Sequence, residues 1–393
     1  MEMIKGYIED NALVIALNGH IDSSNAADVE KEINQLRDEN TFENVYLDAE
    51  NLEYISSAGL RIILRLRKTY SELKIMNVHP DVYEILDMTG FTEMIDVEKA
   101  YRRLSVDGCE EIGRGANGIV YRLDPDTIIK VYFNSDALAD VHRERELARK
   151  AFILGIPTAI PYDVVRVGDT YGSVFELLNA TSLSSLIARH PEQIDTYVSE
   201  YVELLKKIHS TRVKEGDMPD MKITAQDWVD FLKDYLPKDQ SEKLCGMVAA
   251  IPKDDHMLHG DFHTKNVMVQ NGEVLLIDMD TLSVGNPVFE LASMYMGFVG
   301  FAEEDHQVSI DFLGIPYETA VTFWKKSLAL YLGTEDEETN RIAEEKAMVI
   351  GYARLLRRTI RRNGLNTPDG QNRIALCKRH LEELLGRIDT LAI

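Results

Sequence analysis

The segment from His259 to Asn266 constrains this chain more than any other, because it sets polar side chains at a fixed interval. Four residues separate Asp261 from Asn266, and the apolar run 274–277 that follows leads directly into Asp278. A carboxylate can accept the proton of a hydroxyl, and carboxylate and amide oxygens are ligands for Mg²⁺. The interval therefore predicts a phosphoryl-transfer loop, in which Asp261 acts on an acceptor hydroxyl and Asn266 and Asp278 hold the metal.

Three other polar residues belong to the same region of the sequence. Asp280 is predicted to share a strand face with Asp278 and to be a weaker second metal ligand. His263 is predicted to satisfy a loop carbonyl, with contact to a γ-phosphate as the alternative. His259 is predicted to hold the loop in place, since Asp261 already supplies the carboxylate for proton transfer.

A glycine-rich segment, 113–118, lies upstream and carries Gly113, Gly115 and Gly118. Such a pattern alone is weak evidence, because it also occurs where a strand leads into a helix that binds a dinucleotide. Here a β-branched and aromatic run follows, so the pattern predicts a strand-loop-strand hairpin over phosphates. A flexible hairpin tip is the alternative. Lys130 lies in the next β-rich run and resembles the lysine that holds the α- and β-phosphates of ATP in kinases, which implies the same role here.

A strand lysine in this role needs an acidic partner, and the predicted helix 141–154 offers two. Glu144 shares the apolar face of that helix and is therefore the predicted partner, while Glu146 is expected to form a surface pair with Lys150. The segment 175–178 follows and resembles the segment between the lobes of kinases whose backbone groups bind adenine, which implies that role for Glu176 and Leu178. A plain buried strand is the alternative for that segment.

Composition narrows the function classes. The 393 residues include 66 Asp and Glu against 43 Lys and Arg, which gives a formal net charge of −23. Such a charge repels nucleic acid phosphates and anionic membranes, so we expect neither as a partner, and it favours cationic ligands. The three cysteines lack metal-ligand spacing, and no long apolar run occurs. We expect a cytoplasmic protein from a reducing compartment.

The pattern of elements divides the chain into two parts. Residues 1–97 alternate strands with helices, which predicts a small α/β domain, and residues 98–106 are the predicted linker. The predicted strands of this part are 12–17 and 45–47, and its predicted helices are 26–36, 58–69 and 81–88. Beyond the linker the pattern changes to β-rich and then to mostly helical, with amphipathic runs at 198–209, 228–235, 320–332 and 341–362.

From Cys109 onward the sequence resembles the aminoglycoside phosphotransferase and choline kinase branch of the protein-kinase-like fold. The likeness lies in His259-Gly260-Asp261 to Asn266, in the segment 276–280, and in the segment 285–292. It implies an α+β domain of two lobes, 107–178 and 179–393, that uses ATP and Mg²⁺. Asn286 and Glu290 replace aspartates that are usual in the family, so the likeness does not imply drug resistance as the role.

The first domain resembles the STAS family of anti-sigma-factor antagonists over nearly its whole length. Segments 17–22, 45–48 and 54–60 carry this likeness. In that family a partner kinase phosphorylates a serine at the start of a helix, and Ser57 is the matching position. Unpaired N–H groups and the positive end of the dipole would stabilise a phosphate there. A simple helix cap at Ser56 or Ser57 is the alternative.

A basic face is predicted near the C-terminus of this acidic chain. It comprises Arg354, Arg357, Arg358, Arg361 and Arg362. We expect these arginines to pair with acids of neighbouring helices, with a bound phosphate or an acidic partner as the alternative.

Three functions agree with these features. The first is an ATP- and Mg²⁺-dependent phosphotransferase that acts on the hydroxyl of a small molecule, with a STAS domain that docks protein partners. The second is a serine kinase whose acceptor is a STAS domain, either its own Ser57 or that of a partner. The third is a non-catalytic nucleotide-binding scaffold, against which the retention of Lys130, Asp261, Asn266 and Asp278 argues.

Overall fold

The computed structural model describes residues 3–9, 11–115, 117–134 and 138–393. It divides into two compact units, Met1–Leu104 and Ser105–Ile393. The division falls within the predicted linker 98–106. Strand β5 (Asp96–Lys99) pairs with its neighbour in the first unit, so residues 98 and 99 belong to a sheet and not to the linker.

The first unit is an α/β domain with one five-stranded sheet. Its elements before β5 are β1 (Ile4–Glu9), β2 (Ala12–Ile21), α1 (Ala26–Glu39), β3 (Asn44–Ile55), α2 (Ser57–Thr69), β4 (Lys74–Val78) and α3 (Pro80–Met88). The strands lie in the order β1-β2-β3-β4-β5, and only β1 runs antiparallel to its neighbour. Parallel neighbours require crossover connections, and the three helices supply those between β2 and β5.

The core of the first unit forms where these helices pack on the sheet. Residues 12–15 of β2 are fully buried one after another, as expected for a central strand with apolar neighbours on both faces. The helices contribute buried apolar residues to the same cluster, among them Val29 and Ile33 of α1 and Leu66 of α2. Strand β3 is longer than the predicted 45–47, because its buried positions continue beyond the polar residues that interrupt the apolar pattern.

The second unit contains the remaining elements. Its strands are β6 (Glu110–Arg114), β7 (Gly118–Arg122), β8 (Thr127–Tyr132), β9 (Pro161–Val167), β10 (Thr170–Glu176), β11 (Thr181–Ser182), β12 (Met257–Leu258), β13 (Val267–Gln270), β14 (Glu273–Leu276) and β15 (Ser283–Val284). Its helices are α4 (Leu138–Ile153), α5 (Leu183–Arg189), α6 (Ile194–Ser210), α7 (Met221–Leu232), α8 (Lys238–Ala249), α9 (Val288–Tyr295), α10 (Gln307–Leu313), α11 (Tyr317–Leu332), α12 (Glu337–Arg361) and α13 (Pro368–Leu385).

The first part of this unit is a five-stranded antiparallel sheet with the order β6-β7-β8-β10-β9. Gly118 is required by the pairing of β7 with β8, since an added Cβ would lie 2.3 Å from the Val131 carbonyl oxygen. Helix α4 packs against β9 and β10. The sheet and this helix therefore set Lys130 of β8 and Glu144 of α4 in one compact region.

The second part is helical, with large aromatic side chains such as Tyr201, Phe298 and Trp324 fully buried. Helix α12 packs against α7, α9 and α13. The short strands β12 to β15 lie in sequence between α8 and α9, and they carry the segment with Asp261 and Asp278. In the part of the chain that the structure describes, no helix combines the length and the apolar character needed to cross a bilayer.

One helix prediction is wrong at both ends. Helix α7 runs from Met221 to Leu232, whereas the apolar periodicity predicted 228–235. It begins early because the Asp220 side chain caps it by accepting a hydrogen bond from the Lys222 N–H at 2.8 Å. The periodicity continues past its end because Tyr235, in the following turn, still stacks on Phe231 with ring centroids 5.1 Å apart.

Candidate active site

Lys130 and Glu144 form a buried ion pair between strand β8 and helix α4. The Lys130 Nζ donates to both carboxylate oxygens of Glu144, at 2.9 and 3.1 Å, and the side chains are 17% and 5% exposed. The Tyr132 hydroxyl donates to the same carboxylate. Burial opposes the charge of Lys130, but Glu144 and Asp278 outweigh it and raise the Lys130 pKa above its ordinary value. Lys130 is therefore a cation.

Glu146, the other acid of α4 considered as a partner for Lys130, has a different partner. Glu146 lies 3.5 Å from Arg149, while the Lys150 Nζ donates to the Asp217 carbonyl oxygen at 2.7 Å. The predicted pairing of Glu146 with Lys150 is wrong, because Lys150 has a nearer acceptor from another part of the fold. The choice of Glu144 as the partner of Lys130 agrees with the geometry.

Asp278 joins the buried pair from the far end of the sequence. Its carboxylate accepts a hydrogen bond from the Lys130 Nζ at 3.1 Å across 148 positions of the chain. Its backbone is left-handed, with φ 64°, a conformation that costs a residue with a side chain about 1–3 kcal/mol. The surrounding structure holds this turn, so the carboxylate is aimed at Lys130 at the expense of local strain.

Asp280 does not share a strand face with Asp278, so that prediction is wrong. Strand β14 ends at Leu276, the chain turns at Asp278, and Asp280 lies in the 3₁₀ turn Met279–Thr281. Burial, and then the negative charge of Asp278, raise the pKa of Asp280 to about 7. The two carboxylates thus repel one another, and a cation between them would relieve that repulsion.

The loop after β12 places Asp261 beside His263 and Asn266. The His263 Nε2 lies 3.5 Å from the Asp261 carboxylate, and the Asn266 side-chain nitrogen donates to the Asp261 carbonyl oxygen at 3.0 Å. Burial opposes ionisation of Asp261, but the hydrogen bond and charge of His263, together with His259 and Arg354, hold its pKa below the ordinary value. Asp261 is therefore a carboxylate at neutral pH, as a proton acceptor must be.

Glu290 anchors the backbone of this loop, a role that the sequence did not reveal. Its fully buried carboxylate accepts hydrogen bonds from the N–H groups of His259 and Gly260, the latter at 2.9 Å, and lies 3.7 Å from the His209 ring. The sequence marked Glu290 only as a departure from the family's aspartate. Which N–H groups its carboxylate satisfies depends on the packing of α9 under the loop.

Gly260 is held closely by its neighbours, which explains why no larger residue stands there. Its φ is 83°, and an added Cβ would lie 2.6 Å from the Thr281 carbonyl oxygen. The Gly260 carbonyl oxygen accepts a hydrogen bond from the Ser293 hydroxyl at 2.9 Å, and the Arg354 guanidinium approaches it at 3.4 Å. The Arg354 guanidinium also lies over the ring of Trp228 at 5.4 Å.

His259 has the loop-holding geometry that was predicted for it. Its ring Nε2 lies 3.2 Å from the Ile277 carbonyl oxygen, and its own carbonyl oxygen accepts a hydrogen bond from the Thr281 hydroxyl at 2.7 Å. These contacts join the loop with Asp261 to the segment with Asp278. The candidate residues from two parts of the sequence are thereby fixed relative to one another.

The glycines of the 113–118 segment differ in how much space surrounds them. Around Gly115 an added Cβ would meet nothing within 4 Å, and around Gly113 it would meet only the Val120 side chain at 3.8 Å or more. The space above these two glycines is thus open, whereas Gly118 is needed for strand pairing. Ala116, which belongs to the predicted phosphate loop, lies outside the described residues.

The segment predicted to bind adenine, 175–178, begins in the last two residues of β10 and continues past the end of that strand. The Glu176 side chain accepts a hydrogen bond from the Ile160 N–H at 3.3 Å, and the Leu177 N–H donates to the Asp126 carbonyl oxygen at 2.7 Å. Among the described residues, the Leu178 N–H has no acceptor. The strand ends at Glu176 and residues 175–178 are half-buried, so the Leu178 N–H stays available, and the adenine-binding role stays a prediction.

The basic face of α12 does not pair with acids, so that prediction is wrong. Within the described ranges, no carboxylate lies within ion-pair distance of the arginines at 354, 357, 358, 361 and 362. Arg357 instead lies over the ring of Phe231 at 5.7 Å. The acids of neighbouring elements face other partners, which leaves a concentration of positive charge in an acidic protein.

Comparison with known proteins places this geometry in a family. The model of the phosphotransferase enzyme family, APH, matches residues 108–317, more than half of the chain. The chain belongs to this family. A second model, that of the STAS domain, matches residues 4–104, so the first unit is a STAS domain and the second has the protein-kinase-like fold. Both assignments confirm the fold class predicted from the sequence.

The STAS domain has curated relatives. BtrV of Bordetella bronchiseptica, whose name marks it as a candidate anti-sigma factor antagonist, is 36% identical over 92 residues, which are 22% of this chain and 78% of that protein. The anti-sigma F factor antagonist of Paenibacillus polymyxa is 26% identical over 89 residues, which are 22% of this chain and 76% of that protein.

Solved structures similar to the chain include two phosphotransferases. A thermostable mutant of aminoglycoside phosphotransferase APH(4)-Ia is 13% identical, with a TM-score of 0.48, and the match covers 71% of this chain and 94% of that one. A choline/ethanolamine kinase family protein from Mesorhizobium loti is 16% identical, with a TM-score of 0.45, and the match covers 71% of this chain and 92% of that one.

In the STAS domain, the cap and the candidate phosphorylation site are separate residues. The Ser56 hydroxyl accepts a hydrogen bond from the Ala58 N–H at 3.2 Å, so Ser56 is the N-cap of α2. Ser57 is the first helical residue and is exposed. The capping alternative therefore applies to Ser56, and the hydroxyl of Ser57 has no partner among the residues that the structure describes.

Proposed function

We propose that this protein transfers the γ-phosphoryl group of ATP to a hydroxyl of a small molecule, with Mg²⁺, and that its STAS domain docks protein partners. The observation that carries this proposal is the meeting of Lys130 with Glu144 and Asp278 at 2.9 and 3.1 Å. A lysine held between two carboxylates is a cation fixed in position, which phosphate binding requires. Membership of the phosphotransferase enzyme family supports the same reaction type.

ATP binding is assigned to the sheet and the segment that follows it. Lys130 would contact the α- and β-phosphates, the open space over Gly113 and Gly115 would admit the phosphates, and the free Leu178 N–H would donate to the adenine ring. Glu144 would orient Lys130. Each contact uses a group that the described structure leaves available or holds in place.

The donor set beside Lys130 fits Mg²⁺. Asn266 uses its side-chain nitrogen on the Asp261 carbonyl, which leaves the amide oxygen for a metal, and Asp278 presents a carboxylate that is 40% exposed. Oxygen donors of this kind suit Mg²⁺, and the mutual repulsion of Asp278 and Asp280 favours a cation between them. When bound, the ion would neutralise charge on the β- and γ-phosphates.

Asp261 is the proposed acceptor of the hydroxyl proton. The acceptor oxygen forms a bond to the γ-phosphorus, the bond from that phosphorus to the β–γ bridging oxygen breaks, and ADP leaves with the electron pair. The hydroxyl proton passes to the Asp261 carboxylate. The lowered pKa of Asp261 means that the carboxylate is ionised before the reaction, and Glu290, through the loop backbone, keeps it in place.

The test is Mg-ATP turnover against a panel of hydroxyl compounds, followed by ADP release and by mass spectrometry of the acceptor. The proposal predicts acceptor-dependent ADP release that is lost in Asp261→Asn and kept in Asp255→Asn, which alters an exposed carboxylate paired with Arg212. Nucleotide binding without turnover on any acceptor would favour the non-catalytic scaffold instead.

A second candidate function is favoured by the exposure of Ser57. Because Ser56 caps α2, Ser57 is free to accept a phosphoryl group at a helix N-terminus, where the dipole stabilises negative charge. The acceptor of the kinase would then be a STAS serine, on this chain or on a partner, as in an anti-sigma regulatory switch.

Intact-mass measurement after incubation with Mg-ATP tests this second candidate. It predicts the addition of one phosphoryl group that disappears in Ser57→Ala and in Asp261→Asn, and that persists in Ser56→Ala. Mixing Asp261→Asn protein with active protein distinguishes transfer between chains from transfer within one chain. An unchanged mass under all conditions would exclude Ser57 as the acceptor.

A further inference from the structure

The unpaired arginines of α12 border a cavity beside the candidate active site. The cavity has a volume of about 440 Å³, and Arg358 and Arg362 of α12 line it together with Arg373 of α13. Volumes of this order hold metabolite-sized ligands. The charge of the lining is unusual for a chain with a formal net charge of −23.

The cavity is close to Asp261 through two contacts. Phe312 lines the cavity, and its ring meets the ring of His263 at 4.9 Å between centroids. The His263 Nε2 in turn lies 3.5 Å from the Asp261 carboxylate. The rings of Phe312 and His263 therefore connect the cavity to the residue proposed to receive the hydroxyl proton, and an acceptor bound in the cavity would have to extend past them to reach that carboxylate.

The guanidinium groups around the cavity repel one another. Partial burial and then the charges of Arg362 and Arg354 lower the pKa of Arg358, and only the Asp261 carboxylate opposes this shift to a significant extent. Asp369 is the one carboxylate-bearing residue among the described residues that line the cavity, and it is exposed. Three guanidinium groups against one carboxylate leave an excess of positive charge that an anion would neutralise.

The N-terminus of helix α13 adds to the positive electrostatic potential at the cavity. Helix α13, with 18 residues, begins at Pro368, and Thr367 and Gly370 at its N-terminus also line the cavity. The Gly370 N–H donates to the Thr367 hydroxyl oxygen at 3.2 Å, and the positive end of the helix dipole favours negative charge there. The apolar side of the cavity, with Phe301 and Phe312, would contact the carbon skeleton of a ligand.

We propose that the phosphoryl acceptor is an anionic small molecule, a hydroxyl compound whose phosphate or carboxylate group binds Arg358, Arg362 and Arg373. This inference rests on the proposed phosphotransferase function and names its substrate class. It reverses the expectation from net charge, which favoured a cationic acceptor, because the local charge at the cavity is opposite to that of the whole chain.

A matched panel of acceptors separates the charge classes. Glucose 6-phosphate and gluconate carry a phosphate and a carboxylate, glucose is neutral and glucosamine is cationic, on closely similar skeletons. ADP release with Mg-ATP is expected for at least one anionic compound and to be at least about tenfold weaker for glucose and glucosamine, since hydrogen bonds to charged groups contribute that much. The two anionic compounds distinguish phosphate from carboxylate recognition.

Arginine variants provide the control on the same helix. Arg358→Ala combined with Arg362→Ala is expected to raise the KM for the anionic acceptor about tenfold or more while the KM for ATP stays unchanged. Arg361→Ala removes an exposed arginine of α12 that does not line the cavity, and its KM values should remain within about twofold of the parent. All three replacements are at exposed positions, and melting temperatures verify that the variants fold.

A direct binding measurement with small anions tests the arginine site independently of phosphoryl transfer. Calorimetry with glucose 6-phosphate, gluconate and a glutamate-rich peptide is performed on the full chain and on the double variant. Binding of a small anion that is lost in the double variant supports the site, even where no acceptor gives ADP release and the proposed function fails. Binding of neither small anion, binding of the peptide alone, or turnover of glucosamine that is insensitive to the double variant would each overturn it.

Discussion

Two groups of charged residues in the second unit differ in how they are satisfied. At the candidate active site Lys130 is surrounded by Glu144 and Asp278, with the nearest atoms 2.9 and 3.1 Å away. On α12 and α13, Arg358, Arg362 and Arg373 have no carboxylate within ion-pair distance among the residues described by the structure.

This difference distinguishes charges whose partners are part of the fold from charges that no acid of the fold holds. A buried lysine cannot remain unpaired without a large desolvation penalty, so its partners are part of the fold. Exposed arginines are solvated and can remain unpaired at little cost. An anion that binds to the cluster would offset the repulsion between them. Variants of the first group should therefore lower stability as well as turnover, whereas variants of the second group should affect acceptor binding alone.

The largest effect is expected at Asp261, whose charge acts on Asp280 near Lys130 and on Arg358 of α12. Asp261→Asn should lower acceptor-dependent ADP release by about 10²–10⁴-fold, because the hydroxyl proton then has no carboxylate to receive it. The free energy of unfolding should fall modestly, since the variant loses the hydrogen bond and charge interaction with His263 that lower the Asp261 pKa. Urea titration and steady-state kinetics with the best acceptor measure both quantities. Activity close to that of the parent would contradict the proposed role.

The next largest effect tests whether the ion pair of Lys130 with Glu144 stabilises the fold. Lys130→Ala should reduce the free energy of unfolding by about 3–5 kcal/mol, because it leaves the buried Glu144 carboxylate without a counter-charge. Lys130→Met with Glu144→Leu should recover most of that stability without restoring turnover. Urea titration of the two variants gives the comparison. A cost below about 1 kcal/mol for the single variant would show that the pair is not structural.

A smaller loss of stability is expected at Glu290, whose buried carboxylate holds the loop that carries Asp261. Glu290→Gln should cost about 1–3 kcal/mol of unfolding free energy, because one amide nitrogen would face the N–H groups of His259 and Gly260. The kcat should also fall while the KM for ATP stays near its parent value. Glu383→Gln, at an exposed position of α13, is the control and should be neutral. Equal stability of both variants would contradict the anchoring role.

The same residue predicts a pH dependence. Burial opposes ionisation of Glu290, yet the hydrogen bond and charge of His209, together with His259, lower its pKa in the folded protein. Its contribution to stability is therefore complete above the unfolded pKa of about 4.3 and is lost as the pH falls through the lower folded value. Urea titrations of parent and Glu290→Gln protein from pH 6 downward should converge below about pH 4.3. A constant difference would refute the assignment.

The smallest effect on stability is expected for the arginines that line the cavity. Arg358→Ala should change the free energy of unfolding by no more than about 0.5 kcal/mol, and at low ionic strength it should stabilise the protein slightly by relieving repulsion from Arg362. Thermal and urea unfolding at low and high salt measure this. A loss above about 1 kcal/mol would mean that Arg358 has a structural partner, and the contrast between the two groups would fail.

Local sequence patterns predicted much of the paired site. The helical spacing placed Glu144 on the inner face of α4, the β-rich run placed Lys130 on β8, and the four-residue interval placed Asp261 and Asn266 in one loop. These predictions succeeded because side-chain direction repeats with the period of each element. The position of Asp280 was not predictable in this way, because a left-handed turn at Asp278 interrupts the strand period.

The amino-acid sequence by itself determined the two domains and their families and supplied the candidate side chains for the chemistry, since these depend on short-range periodicity and on motifs. Only the tertiary structure decided which charges have partners. Glu290 reaches the loop backbone, and the arginines of α12 have no acid beside them, because the packing of distant elements sets those distances. Net charge is a sum over the chain, whereas recognition depends on the field at one cavity, and here the two have opposite signs.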